Sequence, residues 1–118
     1  TACDMAVILH AAMENEICKK VLSARNYTTS CTQQHPQGIT FSSKFLNRTD
    51  RKFGKGKVVG AKTGYVNQSR YCAVSMYESE ANNKYICVTG MAGKAWQTVY
   101  DHIAFYQNYC KWSVCIGY

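Results

Sequence analysis

Lys62-Thr63-Gly64, set in the run Val58-Val59-Gly60-Ala61-Lys62-Thr63-Gly64-Tyr65, places a cation, a hydroxyl and a residue without a side chain in succession at the end of a β-branched segment. A charge and a hydroxyl beside open backbone are groups that serve ligand binding more readily than bond cleavage. A nucleophile is harder to find. No Ser is followed three positions later by Lys and none is followed two positions later by Asn, so a serine with a basic partner in either arrangement is missing from these residues. Asp101-His102 suggests an acid–base pair, but adjacent residues of a helix do not face each other, and surface placement is expected. The seven cysteines (Cys3, Cys18, Cys31, Cys72, Cys87, Cys110, Cys115) include no Cys-x-x-Cys, and His10, His35 and His102 lack zinc-finger spacing from them, so no structural metal is expected.

The elements that must position the triplet follow from periodicity. Thr1 can cap a helix whose apolar positions Ala2, Met5, Ala6, Leu9, Ala12 and Met13 recur at three and four residues, with Asp4 in its first turn. Asn15 restarts a short helix from Glu16 to Leu22, Arg25 to Thr29 reads as extended, and Ser30 to Thr40 is a polar, turn-like loop. The basic stretch Lys44 to Lys57, with Arg48, Arg51, Lys52 and Lys55, reads as a solvated loop. Three strand-like runs follow: the one ending in the triplet, then Tyr71 to Tyr77, then Lys84 to Thr89. Trp96, Val99, Tyr100, Ile103 and Cys110 mark the inner stripe of a closing helix, and the aromatic set Trp96, Tyr100, Phe105, Tyr106, Tyr109 and Trp112 reads as core. The expected architecture is α+β, an antiparallel sheet packed by terminal helices, in one domain without repeat or linker.

Thr1-Ala2-Cys3-Asp4-Met5-Ala6 resembles the Thr-Ala-x-Asp-Met-Ala segment that follows the second motif of D-alanyl-D-alanine carboxypeptidases, the low-molecular-weight penicillin-binding proteins, and Lys62-Thr63-Gly64 resembles their third motif. Asn26-Tyr27-Thr28-Thr29, and Phe45-Leu46-Asn47 before a Gly-bearing turn, keep that family's order, so that the resemblance runs from Thr1 to about Tyr109. It implies the C-terminal portion of a β-lactamase/transpeptidase-like domain, with residues 1–118 as the segment after the Ser-x-x-Lys and Ser-x-Asn motifs. The implied activity is removal of the terminal D-alanine from peptidoglycan stem peptides through an acyl-enzyme, with β-lactams acylating the same serine and no cofactor required.

In that scheme Lys62 brings a cation to the substrate carboxylate and the proton relay, and Thr63 gives that carboxylate a hydrogen bond. Gly64 lets an extended peptide lie along the strand edge, and the backbone N–H of Tyr65 supplies one donor of the oxyanion hole. Related enzymes often carry an Arg after the last strand, where this chain has Lys94, a point charge without bidentate geometry. Implied partners are the stem peptide, β-lactams, and either the N-terminal portion of the same enzyme or a second copy of these residues, in a bacterial, extracytoplasmic setting.

Composition is compatible with this resemblance. With 47% hydrophobic and 18% charged residues and one Pro, the 118 residues are those of a folded domain or a large piece of one. Fourteen basic against seven acidic residues give a net charge of +7, which attracts polyanions in general. No nucleic-acid-binding motif accompanies that charge. A small secreted, basic, Cys-rich binding protein is the competing reading. Candidate pairs for it are Cys72–Cys87 on neighbouring strands and Cys110–Cys115 at a helix end, although Cys3, Cys18, Cys72 and Cys87 also fit apolar patterns as small buried hydrophobes.

Overall fold

The computed structural model describes residues 1–49 and 56–110. Helix α1 (Ala2–Glu14) begins with a capping box, in which Thr1 Oγ1 accepts from the Asp4 N–H at 3.2 Å and the Asp4 side chain answers the cap backbone. Asn15 ends it in extended geometry and starts α2 (Glu16–Ser23), its Oδ1 accepting from the N–H groups of Ile17 at 3.1 Å and Cys18 at 3.0 Å. One residue therefore turns the chain between two helices. A two-stranded ladder follows, β1 (Asn26–Thr28) against β2 (Thr40–Ser42), then α3 (Lys44–Thr49). The chain closes with a meander, β3 (Gly56–Val66), β4 (Arg70–Ser79) and β5 (Lys84–Ala92), and with α4 (Ala95–Tyr109). The meander is antiparallel in the order β3-β4-β5, so among the described residues β3 and β5 each have a strand partner on one side only.

Alternation along β4 divides the core. Val74 and Met76 point to Leu9 and Met13 of α1, with Leu22, Val59, Ile86 and Val88 packed around them. Ala73 and Tyr77 point the other way, into a cluster with Phe45, Leu46, Val58, Ala61, Val99, Ile103 and Tyr106. The sheet is thus a middle layer, with α1 and α2 on one face and α3 and α4 on the other. A bulge between Val58 and Gly60 shifts the register on β3, so that Val59 and Gly60 both lie on the α1 side while Val58 before them and Ala61 after them pack on the α4 side. Gly60 lies against α1: a Cβ there would meet the end of the Met13 side chain, Sδ at 2.7 Å, which would have to move aside. No helix among the described residues is long and apolar enough to cross a membrane.

Mixed helices on an antiparallel sheet match the expected class, but several local expectations are corrected. The stretch from Lys44 is not a loop throughout: Ser43 Oγ accepts from the Leu46 N–H at 3.3 Å, starting a six-residue helix that buries Phe45, Leu46 and Thr49 while Lys44 and Arg48 stay outside. Arg51, Lys52 and Lys55 lie outside the described residues. In α4, Trp96 and Tyr100 are exposed; the inner stripe is Thr98, Val99, His102, Ile103 and Tyr106. Of the aromatic set only Tyr106 is core, since Phe105 and Tyr109 are also exposed and Trp112 lies outside the described residues.

Cys3 and Cys18 are exposed rather than buried. All six described cysteines are free, and Cys72 and Cys87 cannot pair, because Cys72 faces the α1 side while Cys87 pairs with Ser75 and packs on the α4 side. Cys115 lies outside the described residues, which leaves the second pair untested.

Leu46 is fully buried at the joint of α3, β3 and α4. Leu46→Ala removes those contacts and leaves a void, and is expected to cost about 2–5 kcal/mol, read as a lower midpoint in urea unfolding with an unchanged slope.

Candidate functional site

Lys62, Thr63, Gly64 and Tyr65 occupy the last half of β3, opposite Val74, Ala73, Cys72 and Tyr71 of β4, and all four are exposed. Directly opposed residues of an antiparallel pair share a face, so Lys62 and Gly64 lie on the α1 side of the sheet and Thr63 and Tyr65 on the α4 side. Among the described residues no strand pairs with their own edge of β3. Gly64 differs from Gly60, because a Cβ built on it meets nothing within 4 Å. The fold does not need a glycine there. What the missing side chain leaves is open space on an edge strand, room for an extended chain to approach.

Two cavities flank this stretch, and Lys62 and Thr63 line both. On the α1 side a cavity of about 450 Å³ is bounded by Met5, Gly64, Cys72, Val74, Val88 and Gly90, an almost wholly apolar lining. On the α4 side a cleft of about 430 Å³ is bounded by Ser42, Lys44, Arg48, Ala61, Trp96 and Val99. Lys62 Nζ donates to the backbone oxygen of Thr63, folding the ammonium along its own strand. Tyr65 stacks its ring near that of Tyr71, with centroids 4.6 Å apart, and its hydroxyl donates to Asn67 Oδ1 at 3.3 Å. Lys94 stands elsewhere. It caps α4 in extended geometry, is exposed and lines neither cavity.

The cations that do reach the triplet are Lys44 and Arg48, with the Arg48 guanidinium over the Trp96 ring. Neither was singled out as a site residue from sequence. A usable signal existed: Lys44 and Arg48 are four residues apart, in helical phase and opposite to Phe45, Leu46 and Thr49.

His102, expected at the surface, is fully buried. Its Nδ1 lies 2.7 Å from Ser75 Oγ and its Nε2 2.9 Å from Thr89 Oγ1, while Ser75 Oγ also meets the Tyr106 hydroxyl at 2.8 Å and that hydroxyl donates to the Ser75 carbonyl at 2.9 Å. With the Tyr106 proton given to the Ser75 carbonyl, Ser75 Oγ donates to Tyr106 and accepts from His102 Nδ1–H, and Nε2 accepts from Thr89 Oγ1, so a neutral Nδ1–H imidazole satisfies the chain. Burial pushes the imidazole down from 6.5 to about 4, partly offset by a hydrogen bond to the Ala73 backbone. Burial likewise raises the Tyr106 phenol and pushes the Cys87 thiol up to about 11. Groups so buried and neutral bind the sheet to α4. They are not poised to attack a substrate.

The fold is similar to that of the crystal structure of D-alanyl-D-alanine carboxypeptidase from Mycobacterium tuberculosis H37Rv, with a TM-score of 0.60 and 19% sequence identity. The match covers 89% of this chain and 40% of that one, so the chain spans less than half of the solved protein it resembles. At this identity the likeness is one of fold. No family model matches the sequence, and no curated protein matches it.

The buried imidazole gives folding a pH dependence. Above pH 6.5 the ring is neutral in both states; between 6.5 and about 4 the unfolded chain takes up a proton that the folded one refuses, so stability falls as pH falls. The expected loss from this group approaches roughly 3 kcal/mol and levels off below the folded value. Urea unfolding at pH 7, 5.5 and 4 measures it, and His102→Gln should lower stability at pH 7 while flattening the slope.

Proposed function

We propose that these residues are the substrate-binding part of a serine acyl-transferase domain of the carboxypeptidase type, with the nucleophilic serine outside them. The observation that carries this reading is the placement of Lys62-Thr63-Gly64 on an exposed edge strand, with open space beside Gly64, in a fold similar to that of a D-alanyl-D-alanine carboxypeptidase.

The reaction is hydrolysis of the bond between the last two D-alanines of a peptidoglycan stem peptide. The serine oxygen attacks the carbonyl carbon and the C–N bond breaks. The departing amine takes a proton, and water then cleaves the ester to restore the serine. The peptide pairs with the outer edge of β3, where Gly64 offers no obstruction. Thr63 donates to the terminal carboxylate, Lys62 supplies positive charge to that carboxylate and to the proton relay, and the Tyr65 N–H stabilises the oxyanion together with a donor outside these residues. A β-lactam would acylate the same serine. Lys94, which lines neither cavity, is given no role in this reading. Such a substrate places the protein in the bacterial cell envelope or outside the cell.

Association belongs to the same reading. Val7 and Ile8 of α1 and Ile17 and Val21 of α2 are exposed, Ile17 to 76%, and among the described residues the outer edge of β5 has no strand partner. The segment carrying the serine, or a second copy of these residues, would cover them.

These residues by themselves should neither hydrolyse a D-alanyl-D-alanine peptide nor take up a fluorescent penicillin; addition of the segment with the Ser-x-x-Lys should produce labelling on that serine. Covalent labelling of any residue within the 118 would sink the assignment of roles. In the reconstituted protein Lys62→Ala should slow acylation by about 10²-fold or more with little change in melting temperature, and Thr63→Val by about tenfold. Gly64→Ala should leave melting unchanged while weakening peptide binding. Equal losses of rate and melting temperature in Lys62→Ala would show a structural role instead.

A further inference from the structure

At the end of the sheet away from the triplet, a cleft of about 450 Å³ opens between the helices and the start of β3. Lys57, Glu78 and Lys84 stand in it as one row across β3, β4 and β5, each directly opposite the next in register. Tyr77, beside Glu78, packs on the α4 side, so the row lies on the α1 side. Lys19 of α2 and Arg25 just after that helix close the cleft over the row.

Four cations therefore meet two carboxylates, Glu78 and Glu14, and neither carboxylate is spare. Glu78 is flanked by a lysine on each neighbouring strand, and Glu14 Oε1 lies 3.9 Å from His10 Nδ1. An excess of two positive charges is left, and among the described residues Lys19, Lys57 and Lys84 form no ion pair. Like charges gathered around one space repel one another, and a ligand with two negative charges relieves that repulsion. The net charge of +7 draws polyanions to the chain as a whole, whereas this cleft gives one a place to stop.

The lining narrows the choice of polyanion. It contains no Phe, Tyr or Trp, so nucleic-acid bases find no stacking platform in it. Its volume is that of a small-ligand site, and a flexible chain enters such a hollow more readily than the headgroups of a flat bilayer do. Lysine ammonium groups are point charges without a fixed fork, which suits a repeating ligand that can shift along them. We propose that this cleft binds a base-free phosphodiester polymer, a chain of glycerol phosphate units, with two successive phosphates held by Lys19, Lys57 and Lys84. The charge arrangement stands apart from the function proposed above; only the bacterial wall as the setting of such a polymer rests on it.

A fluorescein-labelled glycerol phosphate oligomer, titrated against the 118-residue chain and followed by anisotropy at several NaCl concentrations, tests this. Saturable binding that weakens as salt rises is the expected result. Lys57→Gln and Lys84→Gln should each weaken it by about threefold or more and make the salt slope shallower by up to about 1. Glu78→Gln should tighten it, since it removes a carboxylate from the row. Lys94→Gln, which removes the same charge beyond the far end of β5, should leave the affinity within about twofold. Circular dichroism of each variant checks that the fold is kept. No saturable binding, weaker binding by Glu78→Gln, or equal losses in Lys57→Gln and Lys94→Gln would overturn the proposal, the last by reducing the effect to net charge. An oligothymidylate of equal charge, or phosphatidylglycerol vesicles, bound more tightly through the same lysines would overturn the choice of polymer. The titration reads no peptide hydrolysis and no penicillin labelling, so its failure and the failure of the proposed function are separate results.

Discussion

From Ala73 to Tyr77 every residue of β4 is buried, so both faces of the sheet must be covered at once. Apolar side chains on the two sides of one strand demand two separate partners, and the helices divide accordingly, α1 and α2 on one side, α3 and α4 on the other. The order of the meander follows from the same demand. The doubly buried strand takes the centre, and β3 and β5 become edges whose ends remain in water. A strand serving as one wall of a binding groove needs such an edge. Lys62, Thr63, Gly64 and Tyr65 therefore stand where burial is least complete, and they can change without emptying either core.

Gly60 and Gly64 show the division at close range. Four residues apart on one strand, the first lies against the end of the Met13 side chain and the second meets only open space. Around the first, the bulge keeps Val59 and Gly60 together on the α1 face. Beyond it the side chains turn polar and exposed, and β3 passes from packing to presentation within a few residues.

Local chemistry made much of this legible in the sequence. Thr1 and Asp4 marked the start of α1, Asn15 the junction of α1 and α2, and the β-branched runs the three strands of the meander. Lys62, Thr63, Gly64 and Tyr65 could be placed on an exposed strand because the motif and the strand pattern coincide. Residues governed by distant partners were not legible. β2 is three exposed residues held by pairing with β1, and α3 is six residues whose charges masked the alternation of Phe45, Leu46 and Thr49. His102 looked solvent-bound by type, yet Ser75 and Thr89, 27 and 13 residues away, make a polar slot for it. Arg48 meets Trp96 only after the whole sheet has intervened. Hydropathy along the chain carries no record of such encounters.

The imidazole of His102 works as an alignment pin. A helix packed on a sheet through Val99 and Ile103 alone could roll or slide with small loss, since apolar contact has little directional preference. Hydrogen bonds from both ring nitrogens, one to β4 and one to β5, admit a single rotation of α4, and the Tyr106 hydroxyl one turn further on fixes its height. A step of one residue along the helix axis would turn α4 by roughly 100° and carry Trp96 away from the α3 side of the groove. The angle at which the indole meets Arg48 is thus set from the far side of the helix, by a polar joint that never touches the groove.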